Sequence, residues 1–407
     1  MNRPATLLPL LLLAAAAAPL PLARAQAPAT EPPVRCGVDV LVHQGGEPLN
    51  GRKVGLITNH TGVALDGRRT IDVLQALPGI ELRAIFSPEH GIHGALDQSG
   101  IAHGEDEATG LPIWSLYGET RKPTAEMLQG LDTLVFDIQD IGCRFYTYVS
   151  TMGNALEAAA EHGLRFVVLD RPNPIDGEHM AGPILDAGKE AFVGWHTIPL
   201  RHGMTAGELM RLFQGERGIR VDAQVVPCEG WRRADTWDRT GLPWIDPSPN
   251  MRSLTEALLY PGIGLLEGTN LSVGRGTDTP FERIGAPWCD GVRLAARLRA
   301  AALPGVAFVP IRFTPDASKF KDEECGGVQI AITDWAVFEP VGAGIAVACA
   351  LRDLFPDWNH DRLQWLLRDD AAYAAFVAGG NADDVAATWR KELELFRMRR
   401  APFLLYP

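Results

Sequence analysis

The chain has 407 residues, 46% hydrophobic and 22% charged, which is ordinary for a globular protein of two or three domains with a large core. A formal net charge of -12 and a sequence pI near 5.3 exclude the basic surface that wraps nucleic acid, and the acidic balance reads as a solubility device.

Met1 to Ala25 reads as a secretory signal peptide, with Arg3 as its positive start, an apolar run from Leu7 to Ala18 and a small-x-small cleavage site at Ala23-Arg24-Ala25. The run is broken by Pro9 and is too short for a membrane span. No cysteine follows closely enough for a lipid anchor, so no stable membrane anchor is expected. Residues 26–35 read as a disordered leader, and the protein is expected to be exported, periplasmic or secreted. Six cysteines, at 36, 143, 228, 289, 325 and 349, leave disulfides open in an exported chain, but their spacing selects no pairing. No CxxC pair is present, which argues against a zinc ribbon.

Cys36 to Leu49 predicts a short strand or helix, and Lys53 to Thr58 a strand that ends in Asn59-His60-Thr61-Gly62. Arg69 to Ala76 has helical spacing. Leu82 to Phe86 reads as a buried strand stopped by Ser87-Pro88, after which Gly91 and Gly94 allow tight turns. This β-α-β order predicts a parallel sheet and puts Glu89 at the carboxyl end of a strand, the edge where such sheets bind ligands. Residues 93–112, with Asp97, His103, Glu105, Asp106 and Glu107, read as a long loop, either functional or a solvated excursion. Thr124 to Leu131 fits a short helix capped by Thr124.

Thr133 to Ile138 is a core strand whose polar end carries Asp137, Gln139 and Asp140. The following turn, Gly142 to Tyr148, gathers Arg144, Tyr146, Thr147 and Tyr148. Sugar sites need such a mixture, because hydroxyls want directional partners and C–H faces want aromatic surface. A helix start with core aromatics is the plainer alternative. Thr151 to His162 predicts a helix and Leu164 to Leu169 a strand ending in Asp170-Arg171-Pro172-Asn173. Three strands that each finish in a charged loop point to a single rim.

Arg201-His202-Gly203-Met204-Thr205 leads into a helix from Ala206 to Phe213, with Thr205 and Glu208 spaced as a capping box. Val221 to Pro227 is a further strand, and Trp231 to Pro249 reads as a connector between domains, non-helical from Asp246 to Asn250 because of its prolines. The last third opens with Glu267, Asn270, Arg275 and Glu282 in a glycine-rich run that lacks the lysine and spacing of a nucleotide loop. Helices are expected over Val292–Ala301 and Val341–Leu354, strands over Val306–Phe313 and Gly327–Thr333. The remainder is mostly helical, with Arg397, Arg399 and Arg400 on a solvated helix end.

Taken together, SPEHGIHG (87–94), VFDIQDIGCRFYTY (135–148), VLDRPNP (168–174), PLRHGMT (199–205), DPSPNM (246–251), LLEGTNLSVGRGTDTPFE (265–282) and CGGVQI (325–330) resemble the bacterial exo-β-N-acetylmuramidase family, formerly a domain of unknown function. The resemblance runs from about Cys36 to Tyr406. It implies an α/β architecture, with a Rossmann-like parallel-sheet domain (36–245), a smaller α+β domain (246–407) and an active-site cleft between them. It also implies release of N-acetylmuramic acid from the non-reducing ends of peptidoglycan fragments during cell-wall turnover, with muropeptides or disaccharides as partners and neither cofactor nor metal.

For that chemistry Glu89 is the expected acid, because burial against Pro88 and the apolar strand would keep it protonated at neutral pH. His90 would tune or hold it. The second group is left open among Glu267, Glu282, Asp137 and Asp140. A substrate 2-acetamido group that attacks for itself, oriented by Asp137 or Asp140, is the third option. A guanidinium suits the lactyl carboxylate of muramic acid, and Arg144, Arg171, Arg201 and Arg275 all lie in motif loops. Gln139, Tyr146, Tyr148, Asn173, His202, Asn250 and Asn270 complete the expected binding set, while Cys143 is given no catalytic role. Two rivals remain at this level: a metal-dependent hydrolase built on His90, His93 and Glu89 with His103 or His202, and a non-catalytic cell-wall sugar-binding protein.

Overall fold

A computed structural model describes residues 32–96 and 100–407. The expected signal peptide, most of the leader and Asp97 lie outside the described residues. The first nine strands are β1 (Lys53–Thr58), β2 (Glu81–Ser87), β3 (Gly104–Glu105), β4 (Pro112–Ser115), β5 (Thr133–Asp137), β6 (Arg165–Leu169), β7 (Ala181–Ile184), β8 (Pro199–Arg201) and β9 (Ala223–Val226). Seven of them form one sheet in the order β3-β4-β2-β1-β5-β6-β9, parallel throughout except for the β3–β4 pair. The central strands are apolar because both faces are covered: β5 is buried at every position and β1 at all but its first.

Register follows from those apolar runs, with Ile57 opposite Phe86 on one side and Phe136 on the other. Strand order reverses at β1, so the loops after β1, β2 and β5 open onto one crevice at the carboxyl edge. The helix Tyr148–His162 covers β5 and β6, and Ala206–Arg217 packs beside it. The latter starts in the expected capping box, Thr205 Oγ1 accepting from the Glu208 amide and the Glu208 carboxylate from the Thr205 amide.

The carboxy-terminal part is smaller. It holds an antiparallel sheet of β10 (Arg283–Ala286), β12 (Cys325–Ile332) and β11 (Val306–Phe313), in that order, packed against the helix Gly291–Ala300, which in turn packs on the helix Pro340–Leu354. One hydrophobic cluster runs from Phe86 and Phe136 through Tyr148 to Leu298 and Val347, so the two parts are fastened by shared core and the rim between them is held in shape.

Several local expectations change. Cys36–Leu49 resolves into the helix Gly37–His43. Thr124–Leu131 is a chain of turns, since its amides bond mainly three residues back and Gly130 leaves the right-handed region at φ 79°. The 93–112 loop is partly anchored, with Asp106 buried and bonded to Arg69 at 2.7 Å. Arg400 is buried, not solvated, and donates to the carbonyls of Gly177 and Glu178 at 3.0 Å. The end of the leader is pinned, Val34 donating to the Thr240 carbonyl at 2.8 Å and Arg35 pairing with Glu229.

Candidate active site

β2 delivers its carboxylate by stopping abruptly. After Ser87 and Pro88 the backbone turns through positive φ at His90, Gly91 and Gly94, 68°, 74° and 65°, a conformation that only glycine adopts without cost. At Gly94 a side chain is also barred by contact, because a Cβ would lie 1.8 Å from the His60 ring. His60 in turn bonds the Asp246 carbonyl at 2.7 Å. One imidazole thus ties the Glu89 loop to the connector. Burial lowers the pKa of that ring, with the His90 and His93 rings adding to the effect, so the tie is made by an uncharged histidine at neutral pH.

Glu89 is half-buried in a cleft of about 220 Å³. Thr147, the residue before the helix Tyr148–His162, donates its hydroxyl to Glu89 Oε2. Beside it Tyr146 and Tyr148 meet edge to face at 4.9 Å, and Tyr260 packs on Tyr146 at 5.9 Å and on Phe281 at 4.7 Å. Burial pushes all three phenols upward, and the Glu89 carboxylate pushes Tyr148 and Tyr260 further, so this wall is neutral across the physiological range. Tyr148 donates to the Pro247 carbonyl at 2.5 Å, which brings the connector residues Ser248 and Asn250 to the rim. The other wall comes from the carboxy-terminal part: Glu267 ion-pairs with Arg275, whose guanidinium stands 5.6 Å from the Phe281 ring centroid, and Trp365 borders the mouth.

Of the expected site residues, the cleft therefore collects Glu89, His90, Tyr146, Tyr148, Asn250, Glu267 and Arg275. The rest are held in the frame. Asp137 is fully buried, its two oxygens accepting from Arg171 at 2.5 and 3.1 Å, and Thr70 donates its hydroxyl to Oδ2 as well. Burial opposes the charge of Arg171, but the facing Asp137 outweighs it and holds the guanidinium above its ordinary value. Arg144 spends its guanidinium on four carbonyls, those of Pro183, Ile198, Leu366 and Leu367, at 2.8 to 3.0 Å. Arg201 pairs with Asp176 at 2.8 Å. Asp140 accepts from the Gly142 amide and stands 3.3 Å from the fully buried His202. Gln139 and Asn173 donate to backbone carbonyls, and Asn270 clasps Asp357 and Asn359. None of Arg144, Arg171 and Arg201 lines the cleft, which leaves Arg275 as its arginine.

Glu282 also lies apart, with Ser253 and Gln329 at 3.4 Å. Burial raises its pKa, and that of Glu256, the capping-box carboxylate of the helix Leu254–Ile263, goes up to about 7, through burial first and the Glu282 charge second. A carboxyl raised on folding holds its proton more tightly in the folded state. Stability is therefore unaffected below about pH 4.5 and falls as pH climbs to about 7, by up to about 3 kcal/mol. Glu256→Gln keeps an oxygen for the cap, so its Tm relative to wild type is expected to rise between pH 4.5 and 7.5. A difference independent of pH would show that Glu256 ionises normally.

Thr147, whose hydroxyl the sequence placed in the sugar-site mixture, also lines the cleft, as do Ser248, Tyr260, Phe281 and Trp365, which were not foreseen as site residues. Thr147 and Ser248 stand inside quoted motifs, but Trp365 lies in a helical region with no local signal. Among the described residues no group of three His, Cys, Asp or Glu side chains is placed to hold a metal ion. His90 bonds the Leu96 carbonyl and His103 accepts from the Ser115 amide, so these two imidazoles of the metal reading each commit a ring nitrogen to the backbone.

The family described as exo-beta-N-acetylmuramidase NamZ matches over residues 54–255 with its N-terminal part and 258–406 with its C-terminal part. The peptidoglycan beta-N-acetylmuramidase NamZ of Bacillus subtilis (strain 168) is 44% identical over 385 residues, 93% of this chain and 92% of that protein. Two crystal structures of DUF1343 family proteins from Bacteroides fragilis superpose with TM-scores of 0.86 and 0.75, at 38% and 32% identity, each covering 92% of this chain and 99% of its own. The chain thus belongs to the NamZ exo-β-N-acetylmuramidase family.

Proposed function

We propose that the protein is a glycoside hydrolase that removes N-acetylmuramic acid from the non-reducing ends of peptidoglycan fragments. The observation that carries this is the pairing of Glu89, fixed by the Thr147 hydroxyl, with a neutral aromatic wall and a single Glu267–Arg275 ion pair across one cleft. Glu89 donates its proton to the glycosidic oxygen while the ring carbon gains oxocarbenium character. Glu267 is the other acid on the lining, and its part is to face that developing positive charge or to orient the incoming water. Arg275 ion-pairs with Glu267 and supplies the positive charge on the lining that suits the lactyl carboxylate.

The test is incubation of purified protein with a muramyl-glucosamine disaccharide and with the reversed disaccharide, products being read by mass spectrometry. Free N-acetylmuramic acid from the first alone is expected, undiminished by chelator. No turnover of either, with binding retained, would favour the sugar-binding reading, and loss with chelator the metal-dependent one. Arg275→Ala should lower kcat/KM on a β-muramide about 10- to 100-fold more than on the matching β-glucosaminide, the scale of one lost charge-assisted contact. Equal losses would remove the lactate from Arg275. Action outside the cytoplasm rests on the composition of residues 1–25, and a secreted product beginning at Gln26 is the corresponding expectation.

A further inference from the structure

Two of the six cysteines meet where the amino-terminal segment runs beside the end of β9. Arg35 and Glu229 form an antiparallel bridge in which each amide donates to the other's carbonyl, at 3.0 and 2.9 Å. A pair that exchanges both bonds is followed by a non-hydrogen-bonded pair, whose Cα atoms stand about 4.5 Å apart. Continuing that register sets Cys36 opposite Cys228, both free thiols here, and the ordinary spacing of such a pair falls within the ~4.4–6.8 Å that a disulfide requires. Side chains alternate across the bridge. Arg35 and Glu229 form an exposed ion pair at 2.9 Å, whereas Cys36 and Cys228 turn inward and are 2% and 7% exposed.

The two thiols are near enough to influence each other electrostatically. The Asp170 carbonyl just past β6 gathers this corner: Cys228 Sγ donates to it at 3.2 Å, and so does the amide of Gly37, next to Cys36, at 2.7 Å. There is no slack in this corner, since a Cβ on Gly37 would lie 2.4 Å from the Asp170 nitrogen.

We propose that Cys36 and Cys228 are a disulfide pair that closes under oxidising conditions and fastens the amino-terminal segment to the end of the seven-stranded sheet. The oxidant is a small-molecule disulfide such as oxidised glutathione. One cysteine thiolate attacks it, forming a mixed disulfide and expelling a glutathione thiolate; the second cysteine thiolate then attacks the mixed disulfide and expels the other. One S–S bond is broken and one formed, the electron pair ends on glutathione, and the two protons lost by the cysteines balance those taken up by the two glutathione thiols. Burial raises the Cys228 thiol well above its ordinary value, so exchange belongs to folding, before the corner closes.

The test is to fold the full chain in a glutathione redox buffer, alkylate the remaining thiols under denaturing conditions and map peptides without reduction. A Cys36–Cys228 linked peptide is expected, two hydrogens lighter than its parts. Reduction should lower Tm by about 5 °C in wild type and leave it unmoved in Cys228→Ser, which keeps a donor for the Asp170 carbonyl. Recovery of both cysteines alkylated, or linked to other partners, would overturn the assignment.

Discussion

Glu89→Gln is expected to lower kcat on an alkyl β-muramide about a thousandfold, the scale of a lost general acid. Glutamine matches glutamate in shape and can still meet the Thr147 hydroxyl, so KM should change little. The loss should shrink as the leaving group improves, because a nitrophenolate departs without a proton while an alkoxide or a sugar hydroxyl does not. That dependence separates an acid from a residue that merely supports the loop, whose replacement would harm all leaving groups alike. Thr147→Val leaves the carboxyl in place without its hydroxyl partner, and a smaller loss, about tenfold, is expected. A Glu89 variant equally impaired on every leaving group would move the acid elsewhere.

The second large effect is on folding. Asp137→Ala leaves the Arg171 guanidinium buried without its counter-charge, and removing one partner of such a pair costs about 3–5 kcal/mol. Thermal or denaturant unfolding should show the loss directly, while the molecules that remain folded keep near-normal kcat. Replacing both members with apolar residues of similar size, as in Asp137→Leu with Arg171→Met, should restore much of the stability. A normal Tm with a thousandfold loss of kcat would instead make Asp137 part of the chemistry.

That contrast shows what the sequence reveals and what it hides. Apolar runs and their stop signals were enough to place β1, β2, β5 and β6 and to put Glu89 at the carboxyl edge, since strand burial and proline chemistry are local. Tyr146, Tyr148 and Glu267 reached the cleft with Glu89, as their motif loops suggested. Arg171, by contrast, has the same residue type and the same place after a strand as a ligand-binding arginine, and the facing Asp137, with the Val63 carbonyl, holds it inward. Arg144 is hidden for a similar reason, because two of its acceptors, Leu366 and Leu367, lie more than 200 positions away. Trp365 enters the cleft through that same long-range docking. Charge and sequence position thus mark the rim, while three-dimensional pairing decides which charges are structural.

A crystal structure of the Glu89→Gln variant with an intact muramyl-glucosamine disaccharide is expected to show the glycosidic oxygen within hydrogen-bond reach of residue 89, the muramic ring against Tyr146 and Tyr148, and the lactyl carboxylate facing Arg275. A disaccharide bound with its glycosidic oxygen out of reach of residue 89, or seated in another hollow of the molecule, would contradict that expectation.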